Sequence, residues 1–406
     1  MLDIYDGAGG GDPSLSHISA LYLHIPFCRA KCAYCDFDSK PLAGCSQDAA
    51  MDTYVEQLVQ RINAFGERDA LAGIKTVYIG GGTPSVLGER LLAVVDAVTA
   101  WCRPHEFTCE ANPESFTPEL ARGLREAGVT RISLGVQSLN DDELRQLGRL
   151  HDSHGALAAV ALAKSWGFDV SLDLMCGIPL QTGESWADTL RRAIGAHPDH
   201  VSVYPLTLED GTPLARRAEE DPALEPDEDL QADCMEVARA ALMHSGYAPY
   251  EVASYAKPGK EARHNIAYWT GESYLGLGRS AASMLRACEY CQLQDLFPSD
   301  TAELPADAAR IRLVQSDDAA AVHEIETLTA REAAAEDLML ACRMTVGIPR
   351  ERLQLAQLYV PKAALSRAVE QAQNLGLASW ENHALAPTQR GWLEGNVLFE
   401  LFWALS

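Results

Sequence analysis

No apolar run in this chain reaches the roughly 18 residues that a membrane-spanning helix needs. The strongest apolar helical candidate, over 91–102, carries Asp96 near its middle. The first residues, MLDIYDGAGGGDPS, have neither a basic start nor an apolar segment, so they do not read as a secretion signal. Residues 1–19 read instead as a disordered tail. Positive charge is scarce as well. Against 57 Asp and Glu stand 33 Lys and Arg, a formal net charge of −24. Such a balance repels phosphate backbones and anionic headgroups and excludes nucleic acid as a partner. The 11 cysteines are an odd number, which, without a secretion signal, fits a reducing cytoplasm where thiols stay free. Apolar residues make up 47% of the 406, enough for two or three domains or for one barrel with an attachment.

Three of those cysteines form a motif. Cys28-x3-Cys32-x2-Cys35 lies inside HIPFCRAKCAYCDF. A [4Fe–4S] cube has four irons, and four cysteines would give each a thiolate. Three leave one iron without a protein ligand, and an open metal position marks a site that does chemistry. The alternative is three unrelated core thiols. Cys288-x2-Cys291 is a second candidate clip, but it has no partner pair.

From residue 20 to about 205, β-rich runs alternate with helical segments. The runs are ALYLHI (20–25), KTVYIG (75–80), FTCEAN (107–112), TRISLGV (130–136), DVSLDLM (169–175) and HVSVYPL (199–205). Strands separated by helical patterns of this length indicate βαβ units and a parallel sheet. The fold class is therefore α/β, and six units make a partial (β/α)6 barrel. Chemistry in parallel α/β folds sits at the C-terminal strand ends. There the chain places the cysteine loop, GGGTP (80–84), Glu110 with Asn112, Gln137 with Ser138, Asp173, and the stretch 204–207. The glycines offer bare backbone to a ligand that could chelate the open iron, such as an α-amino acid.

Residues 210–227 are acidic and proline-containing and read as a linker. A helix over 230–244 follows, then HNIAYW (264–269) and YLGLGRSAASM (274–284). Residues 290–330 read as an irregular insertion with at most one hairpin. The end of the chain reads as helices over 331–343 and 361–374, short strands around 377–380 and 385, and a helix over 388–403. That order is similar to a winged-helix module, but 7 basic against 8 acidic residues gives no DNA-binding footprint. The domains expected are a barrel over 20–215, an extension over 216–330 and a C-terminal α+β domain over 331–406.

The cysteine motif with its glycine-rich strand end resembles the radical S-adenosylmethionine superfamily. The words YLHIPFC, GGGTPS, CEANPES, RISLGVQSLNDDELRQLGRLH and LDLMCGIPLQT resemble, within it, the oxygen-independent coproporphyrinogen III oxidases and their relatives. The resemblance runs from about residue 20 to the end. It implies a [4Fe–4S] cluster on Cys28, Cys32 and Cys35, and S-adenosylmethionine, one molecule or two. Tyr22, Gly81 and Glu110 match contacts to the first. Gly82, Thr83, Gln137, Arg149 and Asp173 match contacts to a second, with Thr207 and Ala282 more loosely aligned. Two features separate the branches. The oxidases usually read C-x3-C-x2-C-x-C, whereas here the last position is Phe37. His264 to Trp269 match H-N-x-x-Y-W, which resembles the signature of the radical-SAM heme chaperone family. This implies heme as cargo with His264 in its site, delivery to heme-requiring respiratory proteins, an electron donor such as flavodoxin or ferredoxin, and a cytoplasmic location. His151 and His154 are the other histidine candidates. The alternative is the oxidase, or a radical enzyme acting on another tetrapyrrole.

Overall fold

A computed structural model describes residues 18–41, 47–298, 304–316 and 323–406. Six parallel strands form where the alternating runs place them: β1 (Ala20–Ile25), β2 (Thr76–Gly81), β3 (Glu106–Ala111), β4 (Arg131–Gln137), β5 (Asp169–Cys176) and β6 (His200–Pro205). Successive side chains in a strand point to opposite faces, and register decides which residues share a face. Tyr22 pairs with Tyr78, Tyr78 with Thr108, Thr108 with Arg131, and Ser133 with Ser171. Asp173 pairs with Ser202. One face of the sheet is thus polar. The intervening residues, Leu21, Val77, Phe107, Ile132, Val170 and Val201, are fully buried and form the main core with the helices.

Those helices are α1 (Gln47–Gly66), α2 (Arg90–Trp101), α3 (Pro118–Ala127), α4 (Asp141–Gln146), α5 (Ser153–Ser165) and α6 (Gly183–Gly195). α3 to α6 start with ordinary side-chain caps, whereas α2 begins after Glu89 without one. Thr117 accepts from the Leu120 N–H ahead of α3, Asp152 from Gly155 ahead of α5, and Thr182 and Ser185 form a capping box on α6.

The sheet is larger than six strands. The stretch expected as a linker carries α7 (Pro213–Glu220). Thr212 caps it, Pro213 starts it, and Leu214 buries itself fully, so acidity and prolines concealed a packed helix. After α8 (Glu228–His244) come β7 (Ala248–Pro249), β8 (Ser254–Ala256), α9 (Arg263–Trp269) and β9 (Tyr274–Leu277). β9 pairs parallel with β1 and is a seventh parallel strand. β10 (Ala282–Arg286), the short α10 (Ala287–Leu293), β11 (Ala308–Gln315) and β12 (His323–Thr329) follow. The twelve strands run β12-β11-β10-β9-β1-β2-β3-β4-β5-β6-β8-β7. The insertion over 290–330, expected to carry at most one hairpin, holds one among its described residues: β11 and β12, paired antiparallel.

The tail expected over 1–19 lies outside the described residues except for Ile18 and Ser19. Both are buried, and the Ser19 N–H donates to the Ser273 carbonyl. Cys288 and Cys291 lie on α10, half-buried and exposed. No described helix is long and apolar enough to cross a membrane.

The C-terminal part has its own core, including Ala334, Leu338, Leu365 and Phe402. It comprises α11 (Ala330–Ala341), β13 (Ile348–Pro349), α12 (Arg350–Ala356), α13 (Lys362–Asn374), β14 (Ala378–Glu381), β15 (Ala384–Pro387), α14 (Gln389–Leu393) and α15 (Gly395–Trp403). The three strands form an antiparallel sheet in the order β13-β15-β14. α12 was not foreseen, being seven residues that start after Pro349 with no side-chain cap. The last helix is broken at Glu394.

Candidate functional site

The chain leaves β1 through Pro26 and enters the cysteine loop, which is tied down on several sides. Phe27–Cys28 pairs with Lys40–Pro41. The Ala33 N–H donates to the Leu147 carbonyl at 2.9 Å, and the Leu214 N–H to the Ala33 carbonyl at 2.8 Å. The Asp38 carboxylate accepts from Arg279 and Ser280, in the turn between β9 and β10. Cys28 is buried and Cys32 and Cys35 are half-buried, all three as free thiols. Burial pushes the Cys35 thiol above its ordinary value.

These thiols line one cleft at the C-terminal ends of the strands, together with Gly81, Gly82, Thr83, Glu110, Gln137, Arg149 and Asp173. Two donors face the sulfurs. Arg149 Nη1 donates to Cys32 Sγ at 3.3 Å, and Thr83 Oγ1 to Cys28 Sγ at 3.5 Å. Asn112 holds both donors in place: its Oδ1 accepts from Arg149 Nη2 at 2.7 Å, and its Nδ2 donates to Thr83 Oγ1 at 3.1 Å. A methyl group on Gly82 would sit 2.6 Å from the Phe27 carbonyl oxygen and 3.0 Å from Cys28 Sγ. Only glycine lets the end of β2 close on the cysteine loop. Gln137 adopts a left-handed backbone, φ 64°, at an irregularity between β4 and β5. Such strain in a non-glycine residue concentrates at functional sites.

Two carboxyls form the polar wall. Glu110 accepts from Tyr78 Oη at 2.6 Å and from the Gly81 N–H at 3.2 Å. Asp173 accepts from Ser133 Oγ at 3.3 Å. Burial pushes Glu110 up to about 7, helped by the nearby charge of Asp173 and opposed by the Tyr78 and Gly81 hydrogen bonds. Burial likewise raises Asp173 to about 6. A carboxyl raised on folding binds more protons folded than unfolded, so its contribution to stability is full below its unfolded pKa and is lost as pH rises through the folded one. The ligand-free protein should therefore lose stability between about pH 4 and 7, with about 3 kcal/mol of the loss attributable to Glu110. Thermal unfolding of wild type and Glu110→Gln across that range checks this; the variant should show a flatter decline by several degrees.

The remaining sequence-derived candidates lie elsewhere. Tyr22 stands behind the wall, its hydroxyl 3.0 Å from His24 Nδ1 and its ring stacked on Tyr78. Thr207 is exposed just past β6, and Ala282 opens β10. His151 is buried against the Val136 carbonyl and Glu114, and His154 is exposed on α5. His264 is at the opposite end of the sheet. Its Nδ1 lies 3.0 Å from Thr76 Oγ1, its Nε2 lies 3.0 Å from Tyr268 Oη, and its ring stacks on Tyr78. Only 1% of it is exposed, and burial lowers its pKa to about 3. Sequence reasoning did not commit to Asn112, Tyr78 or Ser133 as site residues. The last two were legible in the period-2 alternation of TVYIG and RISLG.

The donor set suits an iron–sulfur cluster, since N–H and O–H groups aimed at cysteine sulfurs tune such clusters. Among the described residues no three or more His, Cys, Asp or Glu side chains are gathered as for a single metal ion. The carboxyl wall beside the thiols suits a ligand with an ammonium group and hydroxyls. Comparison with known proteins agrees with this chemistry. Residues 22–193 match the radical SAM superfamily. The heme chaperone HemW of Mycobacterium tuberculosis is 35% identical over 386 residues, 91% of this chain and 91% of its own length. The chain belongs to the HemW family. The HemW protein of Escherichia coli is 39% identical over 64% of this chain and 69% of its own length. The crystallised coproporphyrinogen III oxidase HemN of Escherichia coli, a radical SAM enzyme, superposes with a TM-score of 0.75 over 96% of this chain and 91% of its own. At 21% identity that likeness establishes the fold, and it bears out the α/β reading. Membership of HemW, rather than of the oxidases, accords with Phe37 in place of a fourth cysteine and with HNIAYW at 264–269.

Proposed function

We propose that this HemW-family chain binds heme and passes it to heme-requiring respiratory proteins, on a scaffold that also holds a [4Fe–4S] cluster and S-adenosylmethionine. The observation that carries the reading is identity spread over nine-tenths of the chain to proteins named heme chaperones. Cys28, Cys32 and Cys35 would hold the cluster, which when bound supplies the electron for reductive chemistry at the sulfonium. The protein's own part is placement. Arg149 and Thr83 stabilise negative charge on the sulfurs. On this reading Tyr22, Gly81 and Glu110 seat one S-adenosylmethionine. Gly82, Thr83, Gln137, Arg149 and Asp173, with Thr207 and Ala282, belong to a second. The electron comes from a carrier such as flavodoxin or ferredoxin, and the work is done in the cytoplasm.

His264 enters this reading through α9. Ligation of heme iron by its imidazole requires release from Thr76 and Tyr268, which hold both ring nitrogens. The test sets the two branches against each other. Reconstituted protein with S-adenosylmethionine and a reductant, kept anaerobic, should yield no decarboxylated product from coproporphyrinogen III. The same protein loaded with heme should restore the heme absorbance of a heme-free respiratory acceptor. Robust decarboxylation without transfer would instead establish the oxidase.

A further inference from the structure

Asn112 is bonded to both of the groups that face the cysteine sulfurs, and the chemistry of those groups dictates which way its amide lies. A guanidinium carries only donors. Asn112 therefore turns its carbonyl oxygen to Arg149, whose Nη2 donates to Oδ1 at 2.7 Å. Its amino group is left for Thr83, and Nδ2 donates to Oγ1 at 3.1 Å. With that lone pair taken, the Thr83 hydroxyl hydrogen turns to Cys28 Sγ, 3.5 Å away. At the other end of the line Arg149 Nη1 donates to Cys32 Sγ at 3.3 Å, while its Nη2 is also held by the Gly135 carbonyl at 2.6 Å. One amide thus aims the guanidinium at Cys32 and orients the hydroxyl toward Cys28.

The backbone of Asn112 is seated independently of this side chain. Its N–H donates to Ser85 Oγ at 3.3 Å, and its carbonyl accepts from Ser115 Oγ at 3.2 Å and from the N–H groups of Ser115 and Phe116 at 3.0 and 3.2 Å. A changed side chain therefore leaves the turn in place. The electrical setting gives the two donors their weight. The chain has a net charge of −24, and Glu110 and Asp173 line the same cleft. Negative surroundings oppose the arrival of an electron at a thiolate-bound cluster, and donors to its sulfurs favour it.

We propose that Asn112 is a positioning residue that makes the cluster easier to reduce, by orienting the donors to Cys28 and Cys32. This rests on the cluster reading above and adds what governs the cluster's potential. Asn112→Asp keeps the shape but offers only acceptors, so it holds Arg149, partly neutralises it, and draws the Thr83 hydroxyl away from Cys28. Reconstituted protein without S-adenosylmethionine is titrated with reductant at poised potentials, and the reduced cluster is read by electron paramagnetic resonance. Where wild type is half reduced, the ratio of reduced to oxidised cluster in Asn112→Asp should be about 10-fold lower, which is about 59 mV for one electron. Thr83→Ser should titrate with wild type, and Thr83→Val should fall below it. On the Thr83→Val background Asn112→Asp should lower the ratio by less than it does alone, because the hydroxyl it would turn is gone. That last comparison separates orientation from the bare charge of the carboxylate, which acts on either background. Iron and sulfide content confirm that each variant holds its cluster; if Asn112→Asp does not, Asn112→Ala takes its place in the same cycle. Asn112 variants that titrate with wild type, or the same shift on both backgrounds, would overturn the role of Asn112 and leave the cluster reading intact. Wild type that assembles no reducible cluster would overturn the cluster reading, and this proposal with it.

Discussion

Substitution of Cys28 by alanine is expected to leave a folded protein that cannot retain iron. After anaerobic reconstitution, wild type should carry about four iron and four sulfide per chain with the broad visible absorbance of a [4Fe–4S] centre. Cys28→Ala should carry less than about a tenth of either, because two thiolates cannot hold a cube that already has an open corner. Cys28 is the buried member of the three, approached by Thr83 and by the bare backbone of Gly82, and no other described thiol lines the cleft besides Cys32 and Cys35. Cys102→Ala is the control: that thiol is buried at the end of α2 and lines no part of the cleft, and iron content should be unchanged. Metal analysis reads both. Wild type that takes up zinc, or nothing, would remove the cluster and everything built on it.

Arg310→Ala should be the most destabilising single change outside the main core, by about 3–5 kcal/mol. Arg310 is buried on β11 and donates to Glu336 and Asp337 of α11, each at 2.8 Å. Arg312 reaches Glu336 as well, and Arg352 of α12 lies 3.5 Å from Asp337. Removing the central guanidinium leaves two buried carboxylates short of their principal counter-charge. Burying an unpaired charge costs more than the pair ever contributes. Arg310→Met, which keeps the bulk without the charge, should be little better, since the carboxylates stay behind. Chemical denaturation with separate probes for the two cores checks this. The C-terminal core should unfold first in the variant, because the network is the joint between α11 and the main sheet. A loss below about 1 kcal/mol would show the network to be ordinary surface ion pairing.

The parallel half of the fold was legible because its strands alternate while most of the intervening helices carry ordinary start signals. Thr76 to Gly81 reads polar, apolar, polar, apolar, and the register of β2 against β1 and β3 keeps that order. The site was legible for the same reason. Cys28, Gly82, Glu110 and Asp173 sit at strand ends, and a parallel sheet brings strand ends together. What escaped was whatever depends on contacts distant in sequence. β9 is four residues long with a glycine in it, and only its pairing with β1 and β10 makes it a strand. β12 alternates glutamates with half-buried neighbours and reads as solvent-exposed until β11 lies beside it. His264 sits in a word that resembles the heme chaperones' signature, but the word does not reveal that the imidazole would be closed in between Thr76 and Tyr268. Asn112 stood out as a polar strand end, yet nothing local showed that it would hold both Thr83 and Arg149.

α9 has a bearing on the order in which the molecule assembles. Glu106 accepts from the backbone N–H groups of Arg263 and His264, so the first turn of that helix is seated by a residue made more than 150 positions earlier. Its last residue, Trp269, lies under Arg343, which also stacks on Phe399. A nascent chain on the ribosome therefore displays the receptor before the plug, and the plug before the module that leans on it. The seat for this helix is thus made before the helix that occupies it, and the helix before the module that leans on it.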